Sequence, residues 1–274
     1  MSKTIIGIIA LAAAVIILVS FAVVKIAPKK GATLLVKTDR ETRETLLTSA
    51  KNYEKKGNYP KARDAFGKYL ERLPSSADKK GVEKKIEDLN MKILFSDTVT
   101  DQSIRYEIKK GDTLGKIASR FNTTVELIKK ANGLKNDIII PGKFLKVEKT
   151  GFRIIVDKSD NTLTLTRNTG ETVKVYNVST GENLSTPEGL FKIEEKMQSP
   201  VWYKVGAIVE PSSPEYELGS RWMGLSIADY GIHGTRDESS IGKHITNGCV
   251  RMRNADVEEL YAIVPSGTEV TIIE

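Results

Sequence analysis

The stretch TNGCVR at residues 246–251 contains the only cysteine of the 274-residue chain. A thiolate is a strong nucleophile, and a nearby imidazole can take the thiol proton and later protonate a leaving amine. His233, one of only two histidines, precedes the cysteine by sixteen residues. The sequence therefore predicts a nucleophile, Cys249, with His233 as its general base.

The residues beside the cysteine suit acyl-group chemistry. Gly248 permits close backbone approach, so the N–H groups of Gly248 and Cys249 can face a developing oxyanion. Arg251 follows two residues later, on the same side of an extended chain. Its guanidinium raises the local potential and can bind a substrate carboxylate in bidentate fashion. These neighbours favour a reaction at a carbonyl carbon.

Each of these assignments has an alternative. A cysteine judged by type alone is more often an inert buried side chain, but Cys249 lies in a Gly-Cys turn beside an arginine. The competing base, His244, lies in a polar stretch with no orienting group in view. The carbonyl of Gly234, in contrast, can accept from the His233 ring and fix its tautomer. We therefore prefer His233.

The sequence around these residues predicts a mainly-β domain over 151–274. Alternating apolar residues, turns and β-branched side chains predict strands at 152–156, 162–166, 172–177, 189–193 and 269–273. One helix is predicted over about 255–263, with Asn254 as its N-cap. The segment 197–222 is long for a connection, and its two tryptophans fit either a lid over the site or the core.

Together these motifs resemble an L,D-transpeptidase catalytic domain of the YkuD type. The resemblance is carried by STPEGLF at 185–191, GSRWMG at 219–224, IHGT at 232–235, SIGK at 240–243, TNGCVRMRNAD at 246–256 and VPSGT at 264–268. It implies Cys249 as nucleophile, His233 as proton acceptor and donor, and the Gly234 carbonyl as orienter. Many members have Ser-His-Gly-Cys where this chain has Thr246 and Asn247 before Gly-Cys, and we assign both residues to the substrate or oxyanion region.

The resemblance implies acyl transfer on peptidoglycan stem peptides. Cys249 would attack the carbonyl of the third residue of a donor tetrapeptide and release the terminal D-Ala. The side-chain amine of the third residue of another stem would then attack the thioester, giving a 3→3 cross-link. Water as acceptor would give an L,D-carboxypeptidase, and a protein lysine would give attachment of proteins to peptidoglycan. No metal or organic cofactor is expected, because a thiolate supplies the nucleophilicity.

A second resemblance covers residues 104–148. A short strand containing Tyr106 is followed by a Gly-Asp turn, two short helices and a strand over 138–147, and Thr123 with Glu126 predicts a capping box for the second helix. This βααβ order, with GDTL at 111–114 and IPG at 140–142, resembles a LysM module and implies binding to N-acetylglucosamine-containing glycan such as peptidoglycan. The glycan-binding candidates are Gly111, Asp112, Thr113, Leu114, Asn132 and Pro141.

Residues 41–96 are predicted to be helical, with Pro60 at a helix start and Pro74 after a helix end. Their spacing resembles a single tetratricopeptide (TPR)-type helix pair, and a further helix over about 77–94 would cover its exposed face. One repeat cannot bury its own apolar surface. A spacer and a surface for a protein partner therefore both remain open.

The N-terminal segment, residues 1–30, contains an uncharged run of 20 residues from Ile5 to Val24, long enough to span a bilayer. It is either a permanent signal anchor or a signal peptide cleaved after Ala22, and its length favours the anchor. The lysines that follow it oppose export on a simple positive-inside count. The downstream domains nevertheless indicate a cytoplasmic N-terminus, with the remaining domains facing the cell wall or, after cleavage, secreted.

Composition restricts the remaining possibilities. With 28% charged and 40% hydrophobic residues the chain is neither disordered nor a polytopic membrane protein, and one cysteine with two histidines makes a structural zinc site unexpected. Residues 151–274 carry 12 basic and 18 acidic side chains, which leaves 30 and 17 for residues 1–150. The basic half fits an anionic wall polymer or lipid, or only a solvated surface, and no nucleic-acid partner is predicted.

The sequence thus predicts a multidomain fold: a transmembrane helix, a TPR-like α-helical segment, a βααβ LysM module and a mainly-β catalytic domain with one helix. Three classes of function remain open. The first is an anchored wall cross-linking enzyme, the second a catalytically inactive peptidoglycan-binding wall protein, and the third a scaffold whose helices recruit partners. The His233 and Cys249 pair favours the first.

Overall fold

The computed structural model describes residues 30–75, 77, 79–204 and 206–274. The chain divides into two compact units, Met1–Glu41 and Thr42–Glu274. Within the described ranges, no helix combines the length and the apolar character needed to cross a membrane. The run Ile5–Val24, predicted to be an anchor, lies outside the described residues.

Three helices open the described chain: α1 (Lys30–Lys55), α2 (Tyr59–Glu71) and α3 (Lys80–Leu94). The predicted proline stands in the first turn of α2, where a missing N–H has no cost, and Asn58 caps the helix. One end of this segment packs on itself through Ala50, Ala62, Ala65, Phe66 and Leu89. The last turns of α3 do not belong to that cluster and pack elsewhere.

The C-terminal part of α3 packs against the strand-rich domain. Met91 and Leu94 belong to the core of that domain. The buried Asn90 amide donates to the carbonyls of Thr172 and Val173 at 3.1 and 3.2 Å. The helical segment is therefore more than a spacer, because its third helix forms part of the wall of the catalytic domain.

The predicted βααβ unit is confirmed as β1 (Ser103–Glu107), α4 (Leu114–Arg120), α5 (Val125–Ala131) and β2 (Phe144–Glu148). The two strands pair antiparallel, with Ser103 opposite Glu148. Their common core consists of Tyr106, Ile108, Leu114, Ile117, Ala118, Ile128, Leu145 and Val147.

Two local predictions in this module are wrong. The N-cap of α5 is Thr124, whose hydroxyl accepts from Leu127 N at 2.8 Å, and not Thr123. The closing strand begins at Phe144 instead of 138. Residues 138–140 run outside the sheet, with Ile138 and Ile140 75% and 60% exposed, because the turn that ends at Gly142 intervenes.

The strand-rich domain is built on one eight-stranded sheet in the order β13-β11-β10-β7-β14-β3-β4-β5. Its strands are β3 (Phe152–Asp157), β4 (Thr162–Arg167), β5 (Thr172–Asn177), β7 (Gly189–Gln198), β10 (Arg221–Leu225), β11 (Gly231–His233), β13 (Val250–Arg251) and β14 (Glu269–Ile273). Short pairs outside it are β6 (Thr180–Gly181) with β12 (His244–Thr246), and β8 (Trp202–Lys204) with β9 (Ala207–Val209). The predicted strands are all present, and β7 is longer than predicted.

The predicted α-helix of this domain is present as α6 (Asn254–Ile263), which buries the predicted face of Val257, Leu260 and Tyr261. The N-cap is Arg253, without a side-chain hydrogen bond, so the assignment of Asn254 as cap is wrong. The Asn254 side chain instead accepts from Ser220 N at 2.9 Å. It therefore connects the helix to the strand beside the active site.

Buried polar contacts join the βααβ module to its neighbours. The Lys146 ammonium of β2 donates to the carbonyls of Leu94 and Ser96 at 3.2 and 2.9 Å, and lies 3.3 Å from a Glu148 carboxylate oxygen. The other oxygen of Glu148 accepts from Arg167 of β4 at 2.9 Å. Side-chain exposures of 1%, 3% and 6% make this a buried ionic triad that connects helix, module and catalytic sheet.

Candidate active site

One row of side chains crosses four strands at the edge of the large sheet. Arg251 of β13 lies opposite His233 of β11, His233 opposite Trp222 of β10, and Trp222 opposite Met197 of β7. Directly paired residues project from the same face of a sheet. The row therefore forms one surface, and together with Cys249 it lines a cavity of about 540 Å³.

Cys249 stands at the entrance to β13, partly exposed in the cavity. Its thiol donates to the carbonyl oxygen of Asp229 at 3.7 Å. Burial raises the pKa of the Cys249 thiol, and the Gly231 N–H and the charge of Arg251 oppose that rise. The resting side chain is therefore a thiol at neutral pH, which needs a base during attack.

His233, the predicted base, lines the same cavity as Cys249. Its side chain is buried, and its Nδ1 lies 2.7 Å from the Gly234 carbonyl oxygen. A carbonyl only accepts, so Nδ1 carries the proton and Nε2 has a free lone pair. Burial lowers the pKa of His233 to about 4, with Arg251 acting in the same direction. The imidazole is neutral at physiological pH and able to take a proton.

The His233 ring is fixed by its surroundings. It stacks on Trp222 with ring centroids 5.9 Å apart and an interplanar angle of 23°. A Cβ at Gly234 would come within 2.3 Å of Asn254 Oδ1, so only glycine fits the close approach of this turn to α6. The carbonyl that orients the imidazole is thus held by backbone packing.

The turn before Cys249 is organised by Thr246. The Gly248 N–H donates to the Thr246 hydroxyl at 3.2 Å, and that hydroxyl donates to the Cys249 carbonyl at 2.7 Å. Gly248 has φ +122°, and a Cβ there would lie 2.5 Å from the Tyr230 ring. In this structure the Gly248 N–H, which was predicted to face the oxyanion, is engaged inside the turn. Thr246 and Asn247, both predicted to lie near the substrate or oxyanion, line the cavity.

Arg251 lies in the cavity wall with its side chain 11% exposed. Its backbone exchanges hydrogen bonds with Ser179 at 2.8 and 2.9 Å. The guanidinium Nη2 lies 3.0 Å from Glu217 Oε2. Its Nε is buried and has no hydrogen-bond partner among the described residues. The site thus contains a fixed cation that is only partly paired.

His244 lies outside this cavity, in a different pocket with Glu182, Asn183 and Leu184. The expectation that nothing orients it is wrong. Its Nδ1 lies 2.9 Å from the Thr180 hydroxyl and its Nε2 lies 3.2 Å from the Asn161 amide. These contacts hold β12 beside β6. His244 therefore stabilises the local fold.

Trp222 belongs to the segment predicted to be a lid or core, and it packs, partly buried, against a small core that contains Tyr216. It also forms the surface on which His233 stacks, and its indole N–H donates to Glu195 at 3.0 Å. Sequence reasoning did not single out Glu217 and Asp229, which line the cavity. Packing of the residues beside Glu217 and the turn between β10 and β11 bring them to the site, and neither is readable from local sequence.

Most of the LysM glycan-binding candidates have internal roles. The Asp112 carboxylate accepts from Tyr106 OH and Lys109 N, both at 2.8 Å, and Thr113 caps α4. Leu114 is core. The Asn132 amide bonds to the backbone of Lys146 in both directions, at 2.7 and 2.8 Å. These four side chains are therefore engaged in contacts within the module.

The two other glycan-binding candidates have a different setting. Pro141 is exposed, and Gly111 occupies a left-handed turn at φ +87°. At these two positions the predicted glycan groove can offer a ligand backbone groups and exposed apolar surface, but no polar side chain. Within the described ranges, no group of His, Cys, Asp and Glu side chains could hold a metal ion.

Comparisons with known proteins agree with the site. Residues 151–272 match the YkuD L,D-transpeptidase catalytic domain, and residues 106–148 match the LysM domain. The YkuD L,D-transpeptidase of Bacillus licheniformis is 38% identical over 178 residues, covering 62% of this chain and 98% of that protein. Its Bacillus subtilis counterpart is 37% identical over 177 residues, with the same coverage.

A solved L,D-transpeptidase structure from Mycobacterium smegmatis aligns with 50% of this chain and 65% of its own, at 19% identity and a TM-score of 0.40. The assignment rests on the two Bacillus relatives and on the domain matches, which confirm both resemblances predicted from sequence. Because the chain covers nearly the whole length of relatives of this identity, it belongs to the L,D-transpeptidase family, with a YkuD-type catalytic domain preceded by a LysM domain.

Proposed function

We propose that this protein is a peptidoglycan L,D-transpeptidase that forms 3→3 cross-links between stem peptides through a cysteine acyl-enzyme. The observation that carries the proposal is the single cavity shared by Cys249, neutral His233 and Arg251. A nucleophile, a base and a carboxylate-binding cation are the groups that attack on a peptide with a free C-terminus requires.

In the acylation step, Cys249 Sγ attacks the carbonyl carbon of the third residue of a donor tetrapeptide. The thiol proton passes to His233 Nε2, which then protonates the departing D-Ala amine as the C–N bond breaks. The Cys249 N–H faces the oxyanion, because the Gly248 N–H is already bonded to Thr246. Arg251 binds the terminal carboxylate of the donor.

In the second step, the side-chain amine of the third residue of another stem attacks the thioester. Its proton passes to His233 Nε2 and returns to the Cys249 sulfur as the C–S bond breaks. Water entering the same step gives an L,D-carboxypeptidase, and a protein lysine gives attachment of proteins to the wall. The partly open cavity mouth lined by Tyr203 and Asn247 accommodates any of these acceptors.

The test is incubation of the full-length protein with a purified stem tetrapeptide, followed by mass spectrometry. Cross-linked dimers support the transpeptidase, and tripeptide alone supports the carboxypeptidase. A covalent mass increase on Cys249, lost in Cys249→Ala, supports the acyl-enzyme. Absence of both products and of the adduct would leave an inactive wall-binding protein.

We also propose that the LysM domain binds peptidoglycan glycan through the surface around Gly111 and Pro141. The exposed Ile138 and Ile140 beside Pro141 offer apolar contact for sugar faces. Full-length protein should sediment with insoluble peptidoglycan at high salt, because apolar contact persists when exposed charges are screened over about 10 Å at 0.1 M. Ile138→Asp with Ile140→Asp should weaken sedimentation, and release of the unaltered protein by moderate salt would contradict the glycan-specific contact.

Ile5–Val24 is proposed to anchor the protein in the cytoplasmic membrane with its domains on the wall side. An anchor raises the effective concentration of the catalytic domain near bound glycan without any new contact. The full-length protein should fractionate with membranes, resist carbonate extraction and retain its first residues on N-terminal sequencing. A soluble mature form beginning at Val23 would identify a cleaved signal peptide instead.

A further inference from the structure

The inference concerns Glu217, the carboxylate that meets Arg251 in the catalytic cavity. Arg251 Nη2 and Glu217 Oε2 are 3.0 Å apart. The Glu217 side chain is 58% exposed, whereas that of Arg251 is 11% exposed. The guanidinium is therefore fixed in the wall, and its carboxylate partner reaches it from the solvent side.

The backbone around Glu217 is anchored on both sides. Tyr216 and Leu218 are 4% and 8% exposed and pack in a small core beneath the β8–β9 hairpin. The Tyr216 hydroxyl donates to the carbonyl of Pro200 at 2.6 Å. Since both neighbours point into that core, the Glu217 side chain is directed away from it, into the cavity. Its contact with Arg251 is built into the fold.

Arg251 retains donor capacity in this arrangement. A guanidinium has five N–H donors in a planar fork that fits a carboxylate in bidentate fashion. Here the contact to Glu217 is made by one nitrogen and one oxygen, and Nε is buried without a partner among the described residues. A second carboxylate that fits the fork better can therefore replace Glu217.

We propose that Glu217 is a built-in competitor of the donor's terminal carboxylate: it occupies Arg251 in the resting enzyme and is displaced by a donor with a free C-terminus. The proposal rests on the proposed function, in which Arg251 binds that carboxylate. An exposed glutamate returns to water on displacement, so no buried charge is left unpaired. A donor without the carboxylate cannot make the exchange, and Glu217 thereby sets specificity for free C-termini.

The test measures equilibrium binding in the Cys249→Ala background, which prevents turnover. Full-length protein with and without Glu217→Gln is titrated calorimetrically with a stem tetrapeptide that ends in a carboxylate, and with the same peptide ending in a carboxamide. Loss of the competitor should lower Kd for the carboxylate peptide about two- to fivefold, the size expected of a partly exposed ion pair. Kd for the carboxamide peptide should not change.

Glu269→Gln is the matched control. Glu269 forms a comparable pair with Arg153 at 3.2 Å, is 42% exposed, and lies on β14 outside the residues that line the cavity. This substitution should leave both Kd values unchanged. An unchanged Kd in Glu217→Gln, equal changes for both peptides, weaker binding of the carboxylate peptide, or no binding to either variant would overturn the proposal.

Release of D-Ala by the protein that retains Cys249 separates this proposal from the proposed function. If D-Ala is released but Glu217→Gln does not tighten binding, the enzyme assignment stands and the competitor role is wrong. If binding tightens selectively for the carboxylate peptide but no D-Ala is released, the competitor role stands and the enzyme assignment is wrong.

Discussion

The junction between the LysM domain and the catalytic domain differs from the active-site cavity in how each treats buried charge. At the junction, Lys146, Glu148 and Arg167 form a triad in which every charge faces an opposite charge or a backbone carbonyl. In the cavity, Arg251 keeps an Nε without a partner among the described residues, and the Cys249 thiol donates only at 3.7 Å, to the Asp229 carbonyl. The buried charges of the junction satisfy one another, whereas unsatisfied buried groups in the cavity remain available for a ligand.

The two regions are also built differently. The junction draws on α3, β2 and β4, and its partners lie far apart along the chain. Most of the candidate reactive groups of the cavity come from β11, β13 and the turn before β13, which lie next to each other at one edge of the sheet. Substitutions at the junction should therefore lower the free energy of unfolding, and substitutions in the cavity should lower the rate of the reaction.

The largest expected effect is that of removing the nucleophile. Cys249→Ala should lower the rate of D-Ala release by about 10⁴-fold or more, because the acyl-enzyme cannot form. The thermal midpoint should stay within about 2 °C, since the thiol makes only weak polar contacts, with the Asp229 carbonyl and the Gly231 N–H. Release assays and thermal melts on the same samples check both parts, and retained turnover would exclude the cysteine mechanism.

The two histidines give the next contrast. His233→Ala should cost about 10²- to 10⁴-fold in kcat/KM, the usual contribution of a general base. His244→Ala is the matched variant, because its side chain is also hydrogen-bonded but lies in a different pocket. It should change kcat/KM by less than about threefold. The reverse ranking would mean that the base has been misassigned.

At the junction, Glu148→Gln should lower the free energy of unfolding by about 3–5 kcal/mol, because it removes the carboxylate that pairs with the buried Lys146 and Arg167 and leaves Arg167 only its more distant partner Glu171. Burial lowers the pKa of the Lys146 ammonium group, and the Glu148 carboxylate opposes this shift. Lys146 therefore depends on Glu148 to stay charged in the interior. Denaturant titration gives the free energy. The specific activity of the folded protein should stay within about twofold. A loss of activity without a loss of stability would contradict the view that the junction contributes to stability and the cavity to catalysis.

The pH dependence tests the cavity alone. His233 must be neutral to accept a proton, and burial lowers its pKa to about 4. The acid limb of kcat/KM should therefore fall near pH 4, and not near the ordinary histidine value of about 6.5. Activity should be constant from pH 7 down to about 5. A limb near pH 6.5 would show that the imidazole is more solvated than the structure indicates.

The smallest effect is expected for an exposed ion pair. Glu269→Gln removes the partner of Arg153, both side chains being about half exposed. The free energy of unfolding should change by less than about 1 kcal/mol, since solvent screens such pairs. The same measurement that detects the Glu148 effect checks this one, and comparable losses at both positions would mean that burial does not decide the contribution.

Much of the fold was predictable because its elements are local. Strands β3, β4, β5 and β14 follow alternation over five or six residues, and α6 follows an apolar face. Helix caps were predicted less well. Thr123 and Thr124 are both plausible caps by type, and only the backbone φ and the hydrogen bond from Leu127 select the second.

The sequence by itself identified the candidate reactive groups: one cysteine, a histidine before a glycine, and an arginine two residues after the cysteine. These assignments depend on residue type and short spacing, which the linear chain contains in full. It also determined the order of the LysM and catalytic domains, which the family matches confirm.

Only the tertiary structure decided which other groups meet them. Trp222 reaches His233 through the register of β10 against β11, and Glu217 reaches Arg251 across 34 residues of chain. Strand register shifts by one residue would move each side chain to the opposite face. The direction of the Gly248 N–H was likewise settled by the Thr246 hydroxyl. Contacts of this kind arise from packing summed over the whole domain, which no local pattern in the sequence encodes.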